Sequence, residues 1–140
     1  MNVIPFLRYD DPEAAVDWLS AAFGFECTQV DRGEHGRIAH AELRFEDGMV
    51  MLGSAGENEF GMKTARELGA VTQGVYLIVD AGIDVHFERA VAAGAGVVRA
   101  LHDTDYGSQD YAVRDPEGNL WDFGTYRPAA VATAMSFGGE

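Results

Sequence analysis

The chain has 140 residues, of which 47% are hydrophobic and 11% aromatic, so it can fold as one domain or as two small halves that share a core. Its net charge of −13 opposes binding to nucleic acid, because phosphate contacts need clustered lysine and arginine. The sequence contains no run of about 18 apolar residues that would predict a membrane span. Cys27 is the only cysteine, and the N-terminus is unlike a signal peptide. We therefore predict a cytoplasmic protein without an internal disulfide and without nucleic acid or membrane as a partner.

The first residues predict a strand followed by a helix. Val3–Tyr9 is a short apolar segment typical of a strand. Asp10–Glu13 begins the helix, because aspartate caps free backbone amides and proline suits the first turn. Apolar residues then recur at helical spacing as far as Gly24, which is a good helix terminator.

A hairpin and a connection complete the first half. Alternation in Ile38–Phe45 and the apolar run Met49–Leu52 predict two strands, with Asp47-Gly48 at the bend. Residues 54–73 connect the halves, and a short helix is predicted at Lys63–Leu68.

The second half repeats this order. Val75–Val79 predicts a strand, and Ile83–Ala93 predicts a helix. The hairpin is clearer than the first, because Tyr111–Arg114 and Asn119–Tyr126 flank the turn Asp115–Gly118. In that turn, proline supplies a fixed negative φ and glycine supplies a positive one.

This repetition predicts the fold. A single strand–helix–strand–strand–strand unit cannot bury its own sheet, so the two copies must share a core. We predict an α+β fold in which two βαβββ repeats form a curved mixed sheet with helices on its outer face. The halves are placed at residues 1–53 and 74–127 of a single domain, residues 1–127, and residues 128–140 are interpreted as a tail.

The repeated plan and the segment Val113-Arg-Asp-Pro-Glu-Gly-Asn-Leu-Trp-Asp-Phe123 resemble the vicinal oxygen chelate superfamily, which includes glyoxalase I, bleomycin resistance proteins and extradiol dioxygenases. Pro5–Asp11 and Ala39–Phe45 are also similar to glyoxalase and bleomycin-resistance members. The resemblance covers about residues 2–127. It implies the fold predicted above but not one reaction, because a fold does not determine a function.

The resemblance also implies four positions at which metalloenzymes of the family hold a divalent ion with histidine or glutamate. These positions fall on Ile4, Met51, Gly74 and Asp122. Only Asp122 carries a ligand that hard divalent ions prefer, and a catalytic zinc usually takes three protein ligands. We therefore expect no metal and no other cofactor.

Alternation along the strands sorts side chains into a face covered by helices and a face that lines the cavity. If Met51 and Asp122 face the cavity, Val50, Trp121 and Phe123 face the helices. The cavity set is mainly apolar with a few polar groups, as small-molecule sites generally are. The predicted ligand-binding residues are Phe6, Arg8, His40, Glu42, Met49, Met51, Tyr76, Ile78 and Asp122. The alternative is that these side chains only fill the core of a sheet.

His40 and Glu42 are the candidates for acid–base catalysis. Histidine titrates near neutral pH, and a glutamate two positions along the same strand face can orient its ring. The alternative is a structural hydrogen bond between the two side chains. His35 and His86 are interpreted as surface residues, and His102–Asp110 as a polar connection in a region that related folds close over a ligand.

Three functions are compatible with these residues. The first is a metal-free binding protein that resembles bleomycin resistance proteins and sequesters a bulky aromatic or cationic compound; the acidic charge and the methionines favour it. The second is a glyoxalase-superfamily enzyme, a lyase, isomerase or dioxygenase that acts on a small metabolite. The third is a dimer scaffold without a ligand. We predict the first, as a homodimer, because family members commonly complete their cavities across a two-fold axis.

Overall fold

The computed structural model describes residues 3–129, so most of the predicted tail at 128–140 lies outside the described residues. The strands are β1 (Phe6–Tyr9), β2 (Glu26–Arg32), β3 (Ile38–Phe45), β4 (Gly48–Ser54), β5 (Gly74–Ile78), β6 (Gly96–Asp103), β7 (Gln109–Arg114) and β8 (Leu120–Gly124). The helices are α1 (Pro12–Phe23), α2 (Ala65–Leu68) and α3 (Ile83–Ala92), and a 3₁₀ turn covers Glu34–Gly36. Within residues 3–129, no helix is long and apolar enough to cross a membrane.

The strands form two four-stranded sheets with the same topology. The strand order is β1-β4-β3-β2 in the first sheet and β5-β8-β7-β6 in the second. In each sheet the first strand of the half pairs in parallel with the last strand, and the other pairs are antiparallel. Each half also carries one long helix after its first strand. The prediction of two βαβββ repeats in an α+β fold is therefore confirmed.

Local sequence determines where α1 begins and ends. Asp11 is the N-cap and accepts a hydrogen bond from the Ala14 amide at 3.1 Å, while Pro12 occupies the first turn. At the other end, Gly24 adopts a φ of 82°, which glycine tolerates better than other residues. The Gly24 amide donates to the Ser20 carbonyl oxygen at 3.1 Å, so the end of the helix is satisfied.

Some predicted boundaries are wrong. β1 begins at Phe6 rather than Val3, because Pro5 has no amide hydrogen to donate to the sheet. The linker helix is shorter than predicted, since Thr64 caps it by accepting a hydrogen bond from the Glu67 amide at 3.1 Å. A proline thus sets the start of β1, and a polar side chain sets the start of the linker helix.

Both ends of the segment interpreted as a polar connection, His102–Asp110, belong to strands. β6 runs through His102 to Asp103, and β7 begins at Gln109, so the connection shrinks to residues 104–108. Pairing with β7 holds the end of β6 in the sheet despite its polar sequence. Tertiary pairing overrides the local sequence signal here.

Each sheet has one buried face. The side chains on that face in the first sheet include Ala41, Leu43, Val50 and Leu52, and in the second sheet Tyr111, Val113, Trp121 and Phe123, each at most 2% exposed. Together with residues of α1 and α3 they form a single core. Burying such side chains stabilises the fold by about 1.5–3 kcal/mol for each large one. We call the opposite face of each sheet its open face.

The end of α1 packs against the second half. The Phe23 ring centroid lies 4.6 Å from that of Phe123 and 5.7 Å from that of Trp121, both on β8 of the other half. Aromatic pairs at this distance contribute about 0.5–1.5 kcal/mol beyond their buried area. The halves therefore meet through an aromatic cluster.

His86 belongs to this cluster, which corrects the prediction that it lies on the surface. It is half-buried, with its Nε2 2.8 Å from the Phe23 carbonyl oxygen and its Nδ1 2.5 Å from the Tyr111 hydroxyl. Because a carbonyl can only accept, Nε2 carries the proton and Nδ1 accepts from Tyr111. Burial lowers the pKa of His86, which favours this neutral form. Its spacing of three from Ile83 and four from Ala90, both buried, marks it as facing inward.

A buried carboxylate joins the second hairpin to the first half. Asp115 Oδ2 accepts from the Tyr9 hydroxyl at 2.6 Å and from Trp121 Nε1 at 3.0 Å. Its Oδ1 accepts from the amides of Glu117 and Asn119, both at 3.0 Å. Four donors compensate a carboxylate that is only 4% exposed. The turn between β7 and β8 is therefore also a contact between the halves.

The neighbouring carboxylate of Glu117 extends this contact. It accepts from the backbone amides of Asp10 and Asp11 at 2.7 and 2.9 Å, just before α1 begins. A negative charge at this end of a helix is favoured by the helix dipole. The second hairpin thus contacts the segment that leads into the first helix.

We predict that Asp115→Ala lowers the free energy of unfolding by about 3 kcal/mol or more, because buried donors, including the Tyr9 hydroxyl, lose their acceptor. Chemical denaturation followed by fluorescence is the measurement. Asp17→Ala, at an exposed position of α1, is the matched control and is expected to stay within about 0.5 kcal/mol of wild type. Equal stabilities of the two variants would contradict the prediction.

Candidate functional site

The repeat arranges the predicted site residues in equivalent rows on the two open faces. One row holds Phe6, Met51 and Glu42 in the first sheet, and Tyr76, Asp122 and Ala112 in the second. The next row holds Arg8, Gly53 and His40 in the first sheet, and Ile78, Gly124 and Asp110 in the second. The remaining predicted residue, Met49, lies one row away from Met51. The two faces therefore have the same backbone pattern and different chemistry.

On the first open face, the two catalytic candidates touch each other. His40 Nε2 lies 2.9 Å from Glu42 Oε2, and their side chains are 36% and 33% exposed. Arg8 is turned to the end of β4, where its guanidinium donates to the Ser54 carbonyl oxygen at 2.9 Å. The carboxylate can thus orient an imidazole ring that remains accessible.

Three other predicted residues line a cleft of about 420 Å³ between the halves. Met49, Tyr76 and Ile78 belong to it, together with Phe25 and Phe45 on the core side. A smaller cavity of about 120 Å³ lies where α2 packs between β1 and β5. The larger of these two falls within the usual size range of small-molecule pockets, and so does a separate, more polar pocket of about 670 Å³ beside the start of α1 and the end of β4.

The rim of the cleft is acidic. Glu46 and Asp47, in the turn between β3 and β4, and Asp80, after β5, lie on it. Arg127 also lines the cleft and forms an ion pair with Asp80. Three carboxylates and one guanidinium among these rim residues favour the approach of a cation.

A pair of carboxyl groups lies beside Tyr76 on the second open face. Asp110 and Asp122 share a hydrogen bond. A Cβ atom at Gly124 would lie 2.7 Å from Tyr76 Oη and 2.8 Å from Asp110 Oδ2, so only glycine leaves space for both groups. The backbone is therefore shaped to bring a phenol and a carboxyl together.

Burial, the hydrogen bond to Asp110 and the charge of Asp110 raise the pKa of Asp122 from 3.8 to about 7, and Arg99 opposes this rise. Near neutral pH, Asp122 is therefore still partly protonated. Burial and the charges of Asp110 and Asp122 raise the pKa of Tyr76 to about 12, so its hydroxyl stays neutral. That hydroxyl donates to the Tyr126 carbonyl oxygen at 2.7 Å.

Two residues of this region are missing from the predicted set. From the sequence, we assign Asp110 to the connecting segment. In the structure it occupies the position in the second sheet that His40 occupies in the first, so aligning the two repeats strand by strand identifies it. No local sequence pattern predicts that Phe25 lines the cleft, because its position depends on packing between the halves. Its ring centroid lies 5.5 Å from that of Phe45 and 5.6 Å from that of Trp121.

The four positions implied for a metal do not fit one. Ile4 and Gly74 offer no ligand atoms, and any side chain at Gly74 would meet Leu120 at 3.2 Å. Met51 offers a thioether, which hard ions do not prefer. Among residues 3–129, no group of three or more His, Cys, Asp or Glu side chains is placed to hold a metal ion.

Comparison with known proteins gives consistent matches. The model of the Glyoxalase/Bleomycin resistance protein/Dioxygenase superfamily matches residues 3–123. An uncharacterized protein of Mycobacterium tuberculosis is 36% identical over 124 residues, which are 86% of this chain and 71% of the relative. The crystal structure of TioX from Micromonospora sp. ML1 is 36% identical, with a TM-score of 0.75 over 91% of this chain and 99% of that chain. A superfamily member from Sphaerobacter thermophilus, 20% identical, has a TM-score of 0.67 over 89% and 95% of the two chains and shows the shared fold.

We predict that Asp122→Asn raises the melting temperature relative to wild type at pH 8 and has much less effect at pH 4. The folded protein holds the Asp122 proton up to about pH 7, whereas the unfolded chain loses it near pH 3.8. The contribution of Asp122 is therefore fully present below pH 3.8 and is lost as pH rises through 7. Asparagine mimics the protonated carboxyl and carries no such loss.

Thermal unfolding across this pH range is the measurement, with Asp105→Asn, an exposed residue of the same half, as the control. The control is expected to follow the wild-type curve. If the melting temperatures of Asp122→Asn and wild type differ by the same amount at pH 4 and pH 8, the raised pKa of Asp122 is contradicted.

Proposed function

We propose a function from one premise: this chain belongs to the Glyoxalase/Bleomycin resistance protein/Dioxygenase superfamily. The proposal is that it binds a small molecule without a metal ion and sequesters a bulky aromatic or cationic compound, as bleomycin-resistance-like members would. An antibiotic is one such compound. We propose residues 1–127 as the binding unit and the cytoplasm as its location.

The observation that carries this proposal is the cleft between the halves. It combines a volume of about 420 Å³ with walls of Met49, Ile78, Phe25 and Phe45. Flexible thioethers and rigid rings suit an apolar ligand of irregular shape. An aromatic body buried here would gain about 25 cal/mol for each Å² of apolar area removed from water.

Charge supports a cationic partner. The chain has 23 acidic and 10 basic residues, and the acidic rim of the cleft includes Glu46 and Asp47. Asp122, beside Tyr76, adds a carboxyl group within the predicted set. Carboxylates near an apolar surface attract a cation more strongly than they do in open water.

The residues at the implied metal positions support a metal-independent site. They comprise one carboxyl group, one thioether and two residues without ligand atoms. Of the predicted residues, Tyr76 lines the cleft, whereas Phe6, Met51 and Asp122 lie outside it on the open faces. We therefore propose that the ligand extends from the cleft onto these faces and contacts them directly rather than through an ion.

One observation favours a second candidate, a superfamily enzyme acting on a small metabolite. His40 and Glu42 are in contact at 2.9 Å and accessible, as a general base and its orienting carboxylate need to be. Arg8 faces the neighbouring glycine of the same row. In this candidate, His40 moves a proton at its ring nitrogen and Glu42 holds the ring.

We further propose a homodimer in which the open faces cover each other. Phe6 is 48% exposed and Tyr76 38% exposed on these faces. Exposed apolar side chains grouped on one face are typical of protein–protein or ligand contacts. A two-fold axis would bring the first face of one protomer against the second face of its partner.

For the ligand, we predict that the cation 10-methylacridinium binds and that the neutral acridone, of similar shape, binds at least tenfold more weakly. Trp121 fluorescence reports the titration, because its ring lies 5.6 Å from Phe25 in the cleft wall. Met49→Ala should weaken binding about fivefold, since about 1 kcal/mol of apolar contact is lost. Met62→Ala, in the smaller cavity, is the matched control and should leave the affinity unchanged.

Failure of both probes to bind would count against the binding function. If His40→Ala then abolished a measurable turnover of a small metabolite, the enzyme candidate would replace it. Retained affinity in Met49→Ala, with binding otherwise intact, would place the ligand outside the cleft.

For the assembly, we predict that light scattering at micromolar concentration gives twice the mass of one chain. Phe6→Glu should produce monomers, because a charge on the open face must then be desolvated. Val85→Glu, at a 63% exposed position on α3, is the control and should remain dimeric. Monomeric wild-type protein would overturn this part of the proposal.

A further inference from the structure

Three exposed tyrosines lie around the carboxyl pair of the second open face. We call this group the tyrosine–carboxylate site; it consists of Tyr76, Tyr106, Tyr126, Asp110 and Asp122. Its tyrosines come from β5, from the connection between β6 and β7, and from the segment after β8. Tyr106 and Tyr126 are 65% and 45% exposed.

We infer that the tyrosine–carboxylate site binds an alkylated ammonium group. The inference rests on the proposed function and names the chemical class of the cation. It gives a role to the connection between β6 and β7, which carries Tyr106.

The rings are arranged by specific contacts. The centroids of Tyr106 and Tyr126 lie 5.2 Å apart with a 73° angle between the ring planes. Tyr76 donates its hydroxyl hydrogen to the Tyr126 carbonyl oxygen at 2.7 Å. Tyr76 also interacts electrostatically with Tyr106, Asp110 and Asp122, so the five residues are close neighbours.

The connection that carries Tyr106 is held by its own hydrogen bonds. The Thr104 amide donates to the Ser108 carbonyl oxygen at 2.8 Å, and the Ser108 amide donates to the Thr104 hydroxyl at 3.0 Å. The two hydroxyl groups lie 2.7 Å apart. A ring on such a fixed turn loses little conformational freedom when it binds a ligand.

An alkylated ammonium group matches these surroundings better than a metal ion does. Its charge is spread over methyl groups, which contact the faces of aromatic rings through cation–π attraction. It does not require oxygen ligands at short distance, which a hard metal ion would. The carboxyl pair supplies the opposite charge at the base of the site.

The carboxyl pair is incompletely satisfied within the chain. Asp122 Oδ1 is enclosed and has no hydrogen-bond partner among the described residues. A cation beside the pair would not contact this enclosed oxygen, but its charge would stabilise the ionised carboxyl group. Arg99 is a positive neighbour of Asp122, yet this oxygen still lacks a hydrogen-bond partner among residues 3–129.

Groups on every neighbouring strand affect this charge. Tyr76 on β5 stays neutral, Asp110 on β7 raises the pKa of Asp122 on β8, and Arg99 on β6 is a positive neighbour of Asp122. When both carboxyl groups are ionised, two negative charges face the single charge of Arg99. Binding of the cation is therefore expected to favour the ionised form of Asp122 and to strengthen as pH rises through about 7.

The probe for this inference is choline, with 3,3-dimethylbutan-1-ol as its uncharged isostere, followed by two-dimensional NMR on the full chain. Choline should shift the amide signals of Tyr106 and Asp110, and the isostere should not. Tyr106→Ala should weaken choline binding about two- to fivefold, whereas Tyr106→Phe keeps the ring and the affinity. Because choline is charged at every pH, its tighter binding at pH 8 than at pH 5 reports the carboxyl pair, and Asp122→Asn should remove that difference.

Equal binding of the isostere, or wild-type affinity in Tyr106→Ala, would overturn the inference. These outcomes are distinct from failure of the proposed function. If 10-methylacridinium binds in a Met49-dependent way while choline causes no shift, the cleft is a ligand site and the tyrosine–carboxylate site is not. If neither probe binds, both proposals fail.

Discussion

The carboxylate of Asp115 accepts hydrogen bonds from both halves of the molecule at once, and the remaining structure depends on that contact. Its partners include the Tyr9 hydroxyl on β1 and the Trp121 indole on β8, while Glu117 from the same turn holds the start of α1. A buried charge of this kind is stable only when every lone pair has a donor. The two sheets are consequently held with their buried faces and helices together. Their open faces are left to the exterior, where the polar and aromatic side chains of the site lie.

This arrangement explains why the residues that form the core and the residues of the predicted site alternate along the strands. The helix-side residues of β3, β4, β7 and β8 are buried almost completely, and the alternate residues carry the predicted site. The cleft belongs to neither sheet alone, because Met49 comes from β4 and Ile78 from β5. A binding function therefore depends on the junction of the halves as well as on the strands themselves.

Much of the architecture follows from the sequence because its signals are local. Asp11 and Gly24 define α1, and alternation separates Val50 and Trp121 from Met51 and Asp122, in agreement with the burial of the first two. The predictions that are wrong concern residues whose positions depend on contacts with residues far away in the sequence. His86 has a polar side chain, yet the Phe23 carbonyl and the Tyr111 hydroxyl satisfy it inside the cluster. His102 similarly joins β6 through pairing with β7, and the distance between Asp110 and Asp122 depends on a register that a single strand does not reveal.

The glycines at equivalent places in the two halves have a consequence for how the chain can evolve. A Cβ at Gly53 would meet the guanidinium of Arg8 in ordinary van der Waals contact at 3.6 Å, whereas a Cβ at Gly124 would clash with Tyr76 and Asp110. A glycine at the same place in each repeat thus lies beside a basic group in the first half and beside an acidic and a phenolic group in the second. Since each copy keeps its own glycine, substitutions around one do not have to be matched around the other. In a duplicated chain, the residues of one face can change while those of the other face stay the same. Two identical subunits encoded by a single half-length gene cannot diverge in this way.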